Sequence, residues 1–347
     1  MSQKSEAPAL ILAFLVTTGL IAGGIWWLTQ IVGMNLSGLF TSDSPSNRSA
    51  PTNQAQTFSQ VTGVPDGVFN YGGSTSWAPI RRDVDVVIQS SFPKFTLRYV
   101  DPITGTPGSG AGIRMLLDGQ LGLSQASRPV KTEEFQAAQQ RGFALKQIPI
   151  AIEGIAIAVH PNLPVAGLNL NQLRDIYTGK LTNWNQVGGP NLTITPYSRR
   201  VQDGGTVEFF VENILGNRGF GANVQSVYST TDALRKLSNN PGGIYYGSAP
   251  EIVPQCTIKS IAIAREGNAF VTPYQEPLVP PADCPAQRNQ LNMEAFRSGN
   301  YPITRQLTVG IKQNGQSEQR AGEAYANLLL TEQGQELIDK TGFVRIR

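Results

Sequence analysis

Histidine is almost absent from this chain of 347 residues: His160 is the only one, and cysteine occurs twice, as Cys256 and Cys284. That inventory excludes a zinc centre built from His and Cys ligands and leaves little material for a histidine-based triad. Charge is scarce as well, at 15% of residues, and nearly balanced, with 28 Lys and Arg against 25 Asp and Glu. A net charge of +3 is too small to argue for nucleic acid, so any anionic ligand has to be caught by a local site. No Lys-containing phosphate loop occurs, which weakens a nucleotide reading, and no internal repeat is found. What the chain has in quantity is Gly (36) and Pro (23) beside 40% hydrophobic residues. This is the composition of a loop-rich globular body, and the length suffices for two lobes.

One long apolar run stands apart. Ala9 to Leu28 reads ALILAFLVTTGLIAGGIWWL, without a charge. As a helix it spans roughly 30 Å, the thickness of a bilayer's hydrocarbon core. It exceeds the apolar region of a cleaved signal peptide, and Trp26 and Trp27 stand where interfacial aromatics anchor a span. The sequence therefore predicts a short tail at 1–8 and a transmembrane anchor at 9–34. The following stretch, rich in Ser, Thr, Asn, Gln and Pro, predicts a flexible linker at 35–64.

Beyond the linker, strand-like and helical runs alternate, which argues for α/β layers. Phe95–Val100, Leu192–Tyr197 and Gly243–Tyr246 read as strands, the last marking a return to the first half of the body. Trp77, Ile80, Val84, Val87 and Ile88 share one helical face, and Val207, Phe210, Val211, Ile214 and Leu215 follow helical spacing closely. In QIPIAIEGIAIAVH the alternation changes phase at Glu153-Gly154, which suits a strand leaving one sheet for another or a single bulged strand. The stretch between Cys256 and Cys284 reads as irregular, and its two cysteines fit either a disulfide or a pair of free thiols. The chain ends in two helices meeting at Thr331.

The most informative pattern occurs three times. Gly72-Gly73-Ser74-Thr75-Ser76, Gly108-Ser109-Gly110-Ala111-Gly112 and Asp203-Gly204-Gly205-Thr206 each precede an apolar helical run. Small residues allow close backbone approach, and a helix start carries unpaired N–H groups that attract an oxyanion. Pro79 fits a first helical turn, where its missing N–H costs nothing. Arg128, in SQASRPV, and Arg199, just before the third loop, offer planar forks suited to oxyanions, whereas Arg200 reads as an exposed neighbour. Glu153, at the phase break, is placed either to take a proton from a ligand or to pin a hinge.

These residues also carry a family resemblance. The series GGSTSWAPI, GSGAGI, ASRPVKTEEF, IAIEGIAIAVHPNLPV, LNLNQLRDIYTGKLTNWNQVGG, SRRVQDGGTVEFF, PGGIYY, YPITRQL and TEQGQELIDKTGFV resembles the PstS-type phosphate-binding proteins. Those are substrate-binding subunits of ABC phosphate importers, and the cyanobacterial branch is the most similar. The likeness runs from about Val68 to Val344, and QLRDIYTGKLTNWNQVG is its most specific stretch. It implies a two-lobed α/β periplasmic-binding-protein fold of type II, with lobe 1 at 65–153 and 248–347 and lobe 2 at 154–247. It implies no catalysis and no cofactor. The partners implied are inorganic phosphate, an ABC permease and, through the anchor, a lipid bilayer, with the body on the periplasmic or extracellular side of the cytoplasmic membrane.

The phosphate ligands implied are Ser74 and Thr75, Ser109 and Gly110, Ser127 and Arg128, and Arg199, Gly205 and Thr206. The family's third loop usually reads Ser-Gly-Thr; here Gly204 replaces the serine and retains only the backbone N–H. A sensor or scaffold that keeps the fold with altered or lost binding is the second reading of that change. Monohydrogen phosphate carries a proton that sulfate lacks, so a carboxylate acceptor favours phosphate. Asp203 is the first candidate for that acceptor, with Glu153 or a backbone carbonyl as alternatives.

Overall fold

The computed structural model describes residues 55–201, 204–284 and 286–346. The anchor expected at 9–34, and the linker as far as residue 54, lie outside the described residues. No described helix is long and apolar enough to cross a membrane. The strands are β1 (Gly67–Gly73), β2 (Phe95–Tyr99), β3 (Leu123–Ala126), β4 (Ala144–Val159), β5 (Gly167–Asn169), β6 (Thr195–Ser198), β7 (Gln225–Ser226), β8 (Gly243–Ser248), β9 (Lys259–Ala264), β10 (Thr304–Gln313) and β11 (Val344–Arg345). The helices are α1 (Ala78–Asp83), α2 (Asp85–Ser91), α3 (Ser109–Leu117), α4 (Thr132–Gln140), α5 (Leu170–Tyr177), α6 (Gly205–Asn213), α7 (Thr230–Ser238), α8 (Ala249–Ile252), α9 (Met293–Arg297), α10 (Ser317–Leu329) and α11 (Glu332–Lys340).

The two halves of the body share one long strand. Residues 144–154 of β4 pair antiparallel with β10, whereas Ile155–Val159 pair with β8 and β9. The strand order is β2-β1-β3-β10-β4-β8-β6-β7. The phase break at Glu153-Gly154 is therefore a crossing made by a continuous strand, and that strand also carries a bulge: the consecutive Leu307 and Thr308 of β10 face Ala151 and Pro149, which leaves Ile150 as the extra residue on β4. A side chain at Gly154 would meet the Phe296 ring at 2.6 Å, so the crossing needs glycine for close approach.

Each half has its own core. Trp77, Ile80, Phe95, Leu123, Ile150, Val309 and Tyr325 belong to the first, and Ile157, Tyr177, Trp184, Phe210, Tyr246, Ile263 and Phe296 to the second. This corrects the lobe boundary expected at residue 248. Ile252, Ile261, Phe296 and Ile303 all lie in the second core, and the chain returns only at Ile303–Arg305, where the Ile155 N–H donates to the Ile303 carbonyl at 2.9 Å. The reason is β9, a buried KSIAIA strand hidden in the stretch that reads as irregular, which pairs with β4 and β5. Cys256 and Cys284, which flank that stretch, are joined by a disulfide with their Cα atoms 5.6 Å apart.

The linker boundary also moves. Phe58 is buried in the first core, Val61 and Val64 pack against it, and the Phe58 N–H donates to Gln333 Oε1 at 2.9 Å. One aromatic ring is enough to seat the segment, so the docked body begins about ten residues before Pro65. The helical face from Trp77 to Ile88 is divided between α1 and α2 at Val84, and β6 starts at Thr195, three residues later than the LTITPY pattern suggests. Inside the first core, Tyr71 and Tyr325 each donate a hydrogen bond of 2.8 Å to the buried Asp85. Burial pushes its carboxyl up to about 6, with the two phenols working in the opposite direction.

Candidate functional site

The three small-residue loops meet. The first follows β1 and is tied to β3: Trp77 Nε1 donates to the Ala126 carbonyl at 3.0 Å, and Arg81 Nη1 donates to Ser74 O at 3.1 Å and Gln125 Oε1 at 2.8 Å. The second opens α3, whose Gly112 lies so close to Gly73 that an added Cβ would be 2.5 Å from the Gly73 Cα. The third opens α6 in the other lobe. Gly204 has φ 141°, a conformation that disfavours a side chain, and a Cβ there would lie 3.3 Å from Thr75 Oγ1. This is a physical reason for glycine where the family usually has serine.

Ser74, Ser109 and Ser127 are fully buried and form one hydroxyl cluster. Ser74 Oγ donates to Ser127 Oγ at 2.8 Å, and the Ser127 N–H donates to Ser109 Oγ at 3.0 Å. Gly205 of the opposite lobe rests on all three: a Cβ on it would lie 2.7 Å from Ser127 Oγ, 2.9 Å from Ser109 Oγ and 3.5 Å from Ser74 Oγ. Beside this contact a cavity of about 110 Å³ opens between the lobes. Thr75 and Ser76 line it from the first lobe, with Arg199, Thr206, Thr230, Tyr245 and Glu251 from the second. Its size suits one small solute and not a nucleotide.

The remaining expected ligands are placed differently. Gly110 lies in the first turn of α3, where a Cβ would be 3.3 Å from Arg128 Nη2. Arg128 is buried among carboxylates: Nη1 and Nη2 donate to Glu134 at 2.9 and 2.8 Å, and Nε donates to Glu208 at 3.0 Å. Burial opposes its charge, but the two carboxylates prevail and raise its pKa. Lys131 pairs with Glu208 at 3.3 Å and with Glu212. Since Arg128 and Lys131 belong to one lobe and Glu208 and Glu212 to α6 of the other, these pairs bind the lobes to each other.

Glu153 is likewise engaged, its Oε2 accepting from Arg305 Nε at 2.7 Å, and it does not line the cavity. It stands where the crossing strands pair, opposite Arg305. Asp203 lies outside the described residues.

Sequence reasoning missed Arg305, Ser76, Thr230 and Glu251. Arg305 sits opposite Glu153 where the crossing strands pair, with its side chain 1% exposed. Its Nη1 donates to Gly205 O at 3.1 Å, and its Nη2 donates to Ser76 Oγ at 2.6 Å and Thr206 Oγ1 at 2.9 Å. The YPITRQL segment was a signal for it, since an arginine inside a strand that crosses between lobes cannot simply face water. Glu251, on the short helix α8, accepts from Thr230 Oγ1 at 3.0 Å. Burial pushes the Glu251 carboxyl up; the Thr230 bond works against this and the charge of Glu153 adds to it.

This architecture, two α/β lobes around a polar cleft, agrees with the comparisons. The family model described as a PBP superfamily domain matches residues 49–333. The chain belongs to that family. Protein SphX of Synechococcus elongatus is 26% identical over 183 residues, 51% of this chain and 54% of SphX, so the alignment spans only about half of that relative. The phosphate-binding protein PstS of Staphylococcus epidermidis is 27% identical over 245 residues, 70% of this chain and 69% of its own. The chain is thus homologous to the PstS and SphX proteins. Among solved structures, a Clostridium perfringens protein described as a phosphate ABC transporter substrate-binding protein, crystallised with phosphate, superposes with a TM-score of 0.62. It is 25% identical and covers 81% of this chain and all (100%) of its own. An ABC-type phosphate transport receptor from Vibrio cholerae shares the fold, with a TM-score of 0.63 over 80% of this chain and 99% of its own at 21% identity.

Proposed function

We propose that this protein captures inorganic phosphate in the interlobe cavity and passes it to an ABC permease. The apolar segment Ala9–Leu28 would hold the body at the outer face of the cytoplasmic membrane. The role is capture, not chemistry. What carries the reading is convergence: two loops of one lobe and one of the other, two of them opening helices α3 and α6, meet beside a cavity bearing Arg199. The N-terminus of α6, whose Thr206 and Val207 line the cavity, and an arginine fork supply donors that a tetrahedral dianion accepts. The family, the names of its relatives and the disulfide, which belongs to an oxidising compartment, support the same reading. Calorimetric titration of the full-length chain with phosphate tests it: saturable one-to-one binding is expected, and none would overturn it.

Selectivity is assigned to Glu251, the carboxylate that lines the cavity. It accepts the proton of monohydrogen phosphate, whereas sulfate would bring an acceptor against an acceptor. Glu251→Gln turns an acceptor into a group that also donates, so sulfate is expected to compete about tenfold better relative to phosphate. An unchanged sulfate-to-phosphate ratio in competition titrations would exclude Glu251 as the acceptor.

The interlobe ion pairs make a separate prediction. Replacing both Glu208 and Glu212 with Gln removes the partners of Lys131 and one partner of Arg128, and favours opening. Phosphate affinity is expected to fall by about threefold, and its dependence on salt to flatten, since partly exposed pairs contribute little each. Direct electrostatics predicts the opposite sign, because two negative charges leave the neighbourhood of an anion. Tighter binding in that variant would refute a latching role.

A further inference from the structure

Arg305 has only donors, and the two hydroxyls it meets are obliged to accept from it. Ser76 Oγ and Thr206 Oγ1 therefore keep their own protons directed away from the guanidinium. Both residues line the cavity, one from each lobe, and among the described residues neither hydroxyl has another side-chain or backbone partner. A hydroxyl is ordinarily free to present either a lone pair or a proton to a ligand. With the lobes in contact, as here, Arg305 makes that choice and the ligand does not.

We infer that Arg305 is a positioning residue that fixes Ser76 and Thr206 as donors, so that this end of the cavity selects ligand oxygens that only accept. The inference rests on the oxyanion reading above and deepens it, naming the deprotonated oxygens of the anion as what this end recognises. Glu153 makes the arrangement possible. It neutralises the guanidinium at 2.7 Å, so Arg305 spends its remaining donors on the Gly205 carbonyl and the two hydroxyls instead of on the ligand itself. A buried ion pair contributes little net stability, which leaves organisation of the site as its gain. Because Ser76 and Thr206 come from opposite lobes, Arg305 reads both at once only when the cleft is closed.

The test is a coupling measurement on the full-length chain, with phosphate as the probe and calorimetry as the readout. Removing Arg305 alone strands Glu153, so the working variant is Glu153→Gln with Arg305→Gln, which stays neutral. Phosphate affinity is expected to fall about thirtyfold in the wild-type background. In a background already carrying Ser76→Ala and Thr206→Val, the same pair of changes is expected to cost less than about twofold, because the hydroxyls through which it acts are gone. Equal losses in the two backgrounds, or no loss in either, would overturn the inference. Should the paired variant fail to fold, Arg305→Lys replaces it: a lysine keeps the charge beside Glu153 but lacks the fork that serves both hydroxyls. About a fivefold loss is then expected that vanishes in the hydroxyl-free background, and a loss that persists there counts against the inference. Wild-type chain that binds no phosphate would fail the functional reading and this inference together, whereas wild-type binding without coupling would fail the inference alone.

Discussion

Arg199→Ala is expected to weaken phosphate binding about 100-fold while leaving the melting temperature nearly unchanged. Arg199 follows β6 and lines the cavity, with Nη1 3.7 Å from where a Cβ of Gly204 would lie. Its backbone is fixed by the second core: Ser198 Oγ donates to the Arg199 carbonyl at 2.7 Å and lies 2.7 Å from the Tyr246 hydroxyl, whose ring stacks on Phe210 at 3.6 Å. The fork is thus delivered from a rigid base, so little ordering entropy is lost when an anion arrives. A charge-assisted pair of hydrogen bonds in a partly desolvated cleft contributes about 3 kcal/mol, and alanine removes all of it. Lysine at 199 retains the charge without the planar fork and is expected to lose about tenfold. The neighbouring Arg200 is exposed, so Arg200→Ala serves as a control and should stay within about twofold of wild type. Calorimetry on the three variants decides the matter. An Arg199→Ala protein that binds as tightly as wild type would remove this arginine from the site.

What could be read from the sequence was local, and what could not was long-range. The three loops were legible because small residues and a hydroxyl before an apolar helical stripe are a pattern confined to ten residues. Helix α6 was legible for the same reason, its buried Val207 and Phe210 following helical spacing that Ile214 and Leu215 continue just past its end. The crossing at Gly154 showed as a change of phase, since alternation has to shift when a strand exchanges one core for another. The return crossing had no such mark. Strand β9 carries a plain alternation, but Gly, Pro and polar residues surround it, and only its pairing with β4 and β5 keeps residues 248–303 in the second lobe.

The charged residues divide along the same line. Arg128 read as an anion ligand because its slot and chemistry fit, yet Glu208 lies 80 positions away and claims it. Arg305 and Glu153 are 152 positions apart and meet only because antiparallel register sets them opposite each other. Charge chemistry at a hinge depends on which strands pair, and pairing across such distances leaves no trace in spacing. Glu251 was hidden for another reason: its helix, Ala249–Ile252, is one turn long and shows no periodicity.

Gly205→Val is expected to abolish closure and cost about 100-fold in phosphate affinity, with the fold intact. Gly205 occupies the first turn of α6, and its φ is not in the left-handed region, so a side chain is tolerated by the helix itself. Its cost arises only where the lobes touch. A Cβ would meet Ser127 Oγ at 2.7 Å and Ser109 Oγ at 2.9 Å, and those hydroxyls are bound to one another and to Ser74, so none can yield without displacing the others. Overpacking of this kind costs about 1–3 kcal/mol. In an open arrangement the same side chain points into solvent and costs nothing. The whole penalty therefore falls on the equilibrium between open and closed forms, and apparent affinity drops by the fraction of closed protein lost. Alanine, with a single added carbon, is expected to lose about tenfold. Small-angle scattering gives the independent readout: with saturating phosphate the wild-type chain contracts, and the Gly205→Val variant is expected to keep its ligand-free radius of gyration. If that variant contracts and binds as wild type does, the contact between Gly205 and the serine cluster is not the surface on which the lobes close.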